Sequence, residues 1–216
     1  MKVFLKFKKL LLLPVSLKKR YIAHLWLLAK GALIYRFIFS HYGKGSIVYK
    51  PLFISYEAVE LGENVSIGEH ARIEAIDSWL ERKYTPSILI ESGVRIEQRC
   101  HITAAGQLVI GKNSLISFDV MIQDTDHEYQ NIELPVSQQP LIVNKTIIGE
   151  SCFIGSGAKI SAGTTLGKHC VVGANAVVRG DFPDYCVIVG IPAKIVKRYN
   201  LATQAWQKTN SLGDFV

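Results

Sequence analysis

An aliphatic residue returns at every sixth position from Ile148 to Val178, at Ile148, Ile154, Ile160, Leu166, Val172 and Val178. A helix repeats every 3.6 residues and a strand every two, so a period of six calls for a coil that turns a corner after each short strand. Four residues after most anchors stands a small side chain, Cys152, Ala158, Thr164, Cys170 or Ala176, and glycine directly follows Ile148, Ile154, Leu166 and Val172. The aliphatic residue is expected to point inward and the small one to fit where the chain turns. The unit recurs at Leu61, Ile67 and Ile73, at Ile90, Ile96 and Ile102, and at Ile110, Ile116 and Ile122. The gaps between blocks are not multiples of six, which places interruptions near 74–89, 104–109 and 128–147. The longest holds Pro135, Pro140 and several Asn and Gln residues, as a loop leaving the coil would. Such loops are where a repeat scaffold carries function.

The chemistry-bearing residues gather just before that loop, in the run Gln123-Asp124-Thr125-Asp126-His127-Glu128-Tyr129. His127 stands in the sixth place of its unit, at a corner where its side chain faces outward, and carboxylates flank it at Asp124, Asp126 and Glu128. An acidic partner fixes the imidazole tautomer and supports the charge it gains on taking a proton, which suits a general base. An exposed loop histidine in a polar turn, or a divalent metal site, would use the same residues, though no second histidine has useful spacing for a metal.

The formal net charge of +7 is unevenly placed. Residues 1–56 hold eleven Lys or Arg and no Asp or Glu, against fourteen basic and eighteen acidic residues thereafter. Within this basic head, the apolar stretches Leu10 to Val15 and Leu25 to Phe39, the second broken by Lys30 and Arg36, are too short to span a membrane, and no signal cleavage site follows. His24 to Phe39 reads as a helix. Its apolar surface is either covered by the end of the coil or a neighbouring subunit, or lies on an anionic lipid surface. No nucleic-acid recognition motif is present. Of the four cysteines, Cys100, Cys152 and Cys170 fall at inward small positions and read as packing residues in a reducing compartment, and Cys186 is a weak candidate nucleophile.

The hexads and the terminal Gly190-Ile191-Pro192-Ala193-Lys194 resemble the hexapeptide-repeat acyltransferases, over roughly residues 45–198. The resemblance implies an all-β solenoid, a left-handed parallel β-helix with three hexads per coil, so that Cys152 stacks on Cys170 eighteen positions on. It divides the chain into a basic, largely helical extension (1–44), the catalytic β-helix (45–190) and a C-terminal segment with a coenzyme-binding turn and a helix (191–216). The Asp-x-Asp-His-x-Tyr form is similar to the branch that O-acetylates surface-polysaccharide sugars.

By that analogy His127, with Asp126, removes a proton from a sugar hydroxyl, which attacks the thioester of acetyl-coenzyme A without an acyl-enzyme and without a metal. Arg99, Gln123 and Asp124 would bind the acceptor. Arg99 stands where relatives commonly carry an asparagine, so an acidic sugar or a phosphate suits it, as does an ordinary surface role. Phe153, Ala174 and Arg179 would line the coenzyme groove, the Ser156 N–H would face the oxyanion, and Lys194 and Lys197 would meet coenzyme phosphates.

The resemblance also implies a homotrimer with active sites between subunits, acting on a sugar or lipid-linked glycan in the cytoplasm or at the inner face of the cytoplasmic membrane. The alternatives are an N-acetyltransferase acting on an amino-sugar nucleotide, a non-catalytic β-helix scaffold and a γ-type carbonic anhydrase.

Overall fold

The period of six is realised as a three-sided prism. The computed structural model describes residues 14–210 and 213–216, with only the backbone of Arg20. The expected apolar run from Leu10 therefore lies outside the described residues up to residue 13, as does the start of the 1–44 extension.

One coil passes through Thr146–Ile148 on the first face, Phe153–Ile154 on the second and Lys159–Ile160 on the third. Strands stack in parallel from coil to coil, giving sheets of seven, nine and six strands, the nine including two antiparallel C-terminal strands. This is the left-handed parallel β-helix expected from the repeat. The aliphatic anchors fill the interior: Ile67, Ile96, Ile116, Ile154, Val172 and Ile188 form one buried column. Each such side chain contributes about 1.5–3 kcal/mol on burial. Cys100, Cys152, Cys170 and Cys186 are all buried thiols.

Register locates the interruptions. Phe153 pairs with Val171 and Ile160 with Val178, each eighteen positions apart. Ile73 instead pairs with Ile102, Ile102 with Ile122, and Ile122 with Ile160, separations of 29, 20 and 38. The excesses over eighteen are eleven, two and twenty residues. All three arise between the third face and the first, so every interruption leaves the prism along one edge. The other two edges keep a regular turn with one residue in the left-handed region. Asn64, Asn113, Ser151 and His169 take it along the first edge, and His70, Arg99, Asp119 and Asn175 along the second. Gly157 takes it in the second row, where a β-carbon would collide with the Asn175 side chain.

The helix expected over His24 to Phe39 begins earlier, at Val15–Lys30, and continues through a π-helical turn, Gly31–Tyr35, to Arg36–Ile38. Its end is fixed to the first coil by an aromatic cluster. Phe39 lies 5.5 Å from Tyr35, 5.2 Å from Tyr42 and 4.9 Å from Tyr56 between ring centroids. Gly31 permits this approach, since a β-carbon there would come within 2.8 Å of the Tyr42 hydroxyl.

The expected C-terminal helix is not formed among the described residues. Residues Ala193–Asn200 and Ala205–Lys208 are strands that fold back antiparallel onto Cys186–Gly190 and extend the second sheet. The β-branched pair Ile195-Val196 favours a strand, and the last coil offers a row of unpaired backbone groups for it to join. Ile195 is thereby buried over the end of the core.

Candidate active site at the third edge of the prism

His127 stands not on a regular corner but on a short ribbon that leaves it. Thr125–His127 pairs antiparallel with Leu141–Val143, with His127 opposite Leu141. The base of the ribbon is closed by polar side chains. Both Asp124 carboxylate oxygens accept backbone N–H groups, from Ala105 and Gly106, at 2.8 Å each, and the Thr146 hydroxyl donates to the Gln123 carbonyl at 2.9 Å. The loop beyond the ribbon is stapled by buried Gln139, whose amide donates to the Asn131 and Leu134 carbonyls at 2.9 Å each.

A second interruption supports the same ribbon. The hairpin of Ser78–Trp79 and Arg82–Lys83 lays Trp79 edge-on against the His127 imidazole, with centroids 5.2 Å apart. The Trp79 indole N–H donates to the Gln139 carbonyl at 3.0 Å, and Leu141 donates its N–H to the Tyr84 hydroxyl at 3.2 Å. Both loops thus hold each other and the exposed imidazole.

His127 and Asp126 separate two cavities. One, of about 300 Å³, is lined by Trp79, Glu74, His101, Thr103 and Gln123 among others. The other, of about 410 Å³, is lined by Tyr129, Ile142, Asn144 and Arg179. In the first, burial and then the neighbouring Arg72 guanidinium push the His101 imidazole below its ordinary pKa, which favours its neutral form. In the second, Arg179 donates to Asp126 at 2.7 Å, across 53 positions of sequence. The other Asp126 oxygen lies 3.4 Å from the Gln123 amide.

The expected site residues fall into two groups. His127, Asp126, Gln123 and Arg179 meet on the third edge. Asp124 is adjacent in sequence but is fully buried with both oxygens occupied, so the expectation that it binds an acceptor is corrected: it holds the corner together. Burial pushes its carboxyl above the usual range, opposed by the two N–H groups.

Arg99, Ser156 and Ala174 share the second edge instead. Arg99 makes a two-pronged ion pair with Asp119 at 2.7 and 2.8 Å and lies outside the His127 cavities of its own chain. The Ser156 carbonyl accepts the Asn175 N–H at 2.9 Å, while its own N–H has no backbone partner among the described residues. Phe153 lies outward on the second face, in register with Val171, which in turn pairs with Val187. Lys197 lies opposite Val187 and Lys194 opposite Val189. A bulge between these pairs lets two lysines three positions apart emerge on one face, which a regular strand would forbid.

Sequence reasoning missed Trp79, Glu74 and the place of His101 in this cleft. The placement of the interruption at 74–89 next to the one at 128–147 was the available signal, once both are assigned to one edge.

The coiled prism and a histidine cleft on its interrupted edge define a hexapeptide-repeat transferase. The family model described as bacterial transferase hexapeptide (six repeats) matches residues 145–180. WbbJ of Escherichia coli (strain K12), whose description assigns it provisionally to lipopolysaccharide biosynthesis as an O-acetyl transferase, is 31% identical over 170 residues, covering 75% of this chain and 83% of WbbJ. The chain belongs to the hexapeptide-repeat acyltransferase family, a family of enzymes. The Mycobacterium tuberculosis protein Rv3034c, whose assignment as an acetyltransferase is itself an inference, is 34% identical over 165 residues, covering 72% of this chain and 55% of that relative. Among solved structures the fold matches AntD, an N-acyltransferase from Bacillus cereus in complex with dTDP and 3-hydroxybutyryl-CoA, with a TM-score of 0.64 at 17% identity, covering 78% of this chain and 87% of AntD.

Proposed function

We propose that the protein transfers an acyl group, acetyl in the simplest case, from a coenzyme A thioester to a nucleophile on a sugar-containing acceptor. The observation that carries the reading is the exposed His127 imidazole between two cavities on the one edge where all interruptions leave the coil. The acceptor enters from the Trp79 side, where an indole face, Glu74, Thr103 and Gln123 suit a sugar ring. The thioester enters from the Arg179 side.

His127 takes the proton from the acceptor hydroxyl or amine as its oxygen or nitrogen attacks the thioester carbonyl carbon. The tetrahedral intermediate collapses with cleavage of the carbon–sulfur bond, and the imidazolium returns its proton to the departing thiolate. Arg179 holds Asp126 beside the histidine, so Asp126 acts as an oriented charge rather than as a second base. Whether the nucleophile is oxygen or nitrogen divides two readings. The O-acetyl transferase description of WbbJ supports a hydroxyl, and the nucleotide-bound N-acyltransferase AntD supports the amine of a sugar nucleotide.

The two residue groups would complete one site between chains: Gly157 marks the second edge and Gly163 the third, at opposite ends of the strand Lys159–Ile160, whereas reacting atoms must approach within about 3.5 Å. The second edge, with Ser156, Ala174 and the two lysines nearby, therefore serves the His127 of a neighbouring copy, in a closed trimer. The exposed tip of the long loop, with Ile132 at 96% exposure, is apolar enough to seat against that neighbour.

The test is thiol release from acetyl-coenzyme A by the purified chain, with hydroxyl sugars and amino-sugar nucleotides as acceptors and products weighed by mass spectrometry. His127→Ala is expected to lower turnover by about 100-fold or more with the circular dichroism spectrum retained. Undiminished turnover in that variant would remove His127 from the mechanism. Transfer to amino sugars alone would decide for nitrogen.

A further inference from the structure

The N-terminal helix carries a feature the catalytic reading does not use. Among its exposed large apolar side chains the five most exposed are Val15, Ile22, Trp26, Leu33 and Phe37, at 67, 59, 66, 67 and 69%. Their spacing of seven, four, seven and four places them on one stripe of a helix. Tyr35, on the side turned to the prism, is 2% exposed, whereas the stripe stays open to solvent, with Trp26 at its border where it lines a cavity with Val48 and Tyr49 of the first coil. An apolar stripe this regular is seldom left in water.

The charge carried by the helix itself is of one sign. Lys18, Lys19 and Arg36 lie along it with no acidic residue, and the Arg36 guanidinium sits 4.4 Å over Phe37 itself. No acidic residue occurs in the first 56 positions. A second copy of this chain would bring the same cations against each other, whereas anionic lipid headgroups would neutralise them while the acyl boundary received the stripe. Among the described residues no helix is long and apolar enough to cross a membrane.

We infer that the helix Val15–Lys30 and its continuation to Ile38 form an in-plane anchor, which docks the enzyme on an anionic membrane surface through Val15, Ile22, Trp26, Leu33 and Phe37. The aromatic cluster at Phe39 transmits that anchorage to the first coil and fixes the prism relative to the surface. The inference is independent of which sugar is acylated.

The experiment is cosedimentation of the full chain with vesicles of phosphatidylcholine alone or with one third phosphatidylglycerol. The parent is expected to partition onto the anionic vesicles at least about tenfold better than onto the neutral ones, and to lose most of that preference in high salt. The double variant Trp26→Ser/Leu33→Ser is expected to lose binding by about tenfold or more, while its thermal midpoint, sedimentation coefficient and turnover on a soluble acceptor match the parent. The single variant Phe37→Ser guards against a folding defect in the double one and is expected to weaken binding in the same direction. A parent that ignores anionic vesicles, or stripe variants that bind as the parent does, would overturn the inference. So would a change of oligomeric state in the variants, which would assign the stripe to a second copy.

Discussion

Asp124 and Asp126 are two positions apart and meet opposite fates. Asp124 faces into the corner and is spent on two backbone N–H groups, whereas Asp126 faces the cleft and is spent on Arg179. The alternation of side chains along an extended segment would put both on one face, so it is the bend at Asp124, between Met121–Gln123 and Thr125–His127, that separates them. Asp124→Ala orphans two donors and is expected to cost about 2–5 kcal/mol of stability, read as a lower denaturation midpoint. An unchanged midpoint would mean that the carboxylate does not hold the corner. Residue by residue, the sequence disclosed the site unevenly. The imidazole was legible because carboxylates crowd around it in the chain. The pairing of Asp126 with Arg179 was not, because nothing local links positions 53 apart, and neither was that of Arg99 with Asp119, its left-handed neighbour in the stack.

At the scale of elements, two interruptions act as one device. The hairpin carrying Trp79 and the ribbon carrying His127 leave the same edge with one coil, that of His101–Ala104, between them, and Trp79 bridges them by its ring contact and its bond to Gln139. A rigid wall beside the base limits the orientations of both imidazole and acceptor. Trp79→Ala is therefore expected to lower kcat/KM for the acceptor by about tenfold or more, with KM for the thioester unchanged, and Trp79→Phe to recover most of the loss. Equal effects on both substrates would assign Trp79 to general stability. The coils themselves were readable from period alone, because each hexad buries one anchor regardless of its neighbours. The ribbon and the C-terminal strands were not, because their partners lie on other elements: Leu141–Val143 for the first and the open edge at Cys186–Gly190 for the second.

At the scale of the molecule, the residues proposed for catalysis lie on two edges of the prism, the second and the third. In the proposed site the third edge would supply the base and the acceptor cleft, and the second edge and second face the small residues, Phe153 and the lysines suited to a long phosphorylated donor. The proposed cyclic trimer would set the third edge of each copy against the second edge of the next, with three equivalent sites. The most direct measurement of that arrangement is complementation. His127→Ala chains lack the base, and Ala174→Trp chains, altered at an exposed position, block the donor groove. When the two are coassembled in equal amounts, each mixed trimer holds one interface with both halves intact, so activity is expected to return to about a quarter of the parent's. Coassembled trimers that stay as inactive as either variant alone would contradict the shared site.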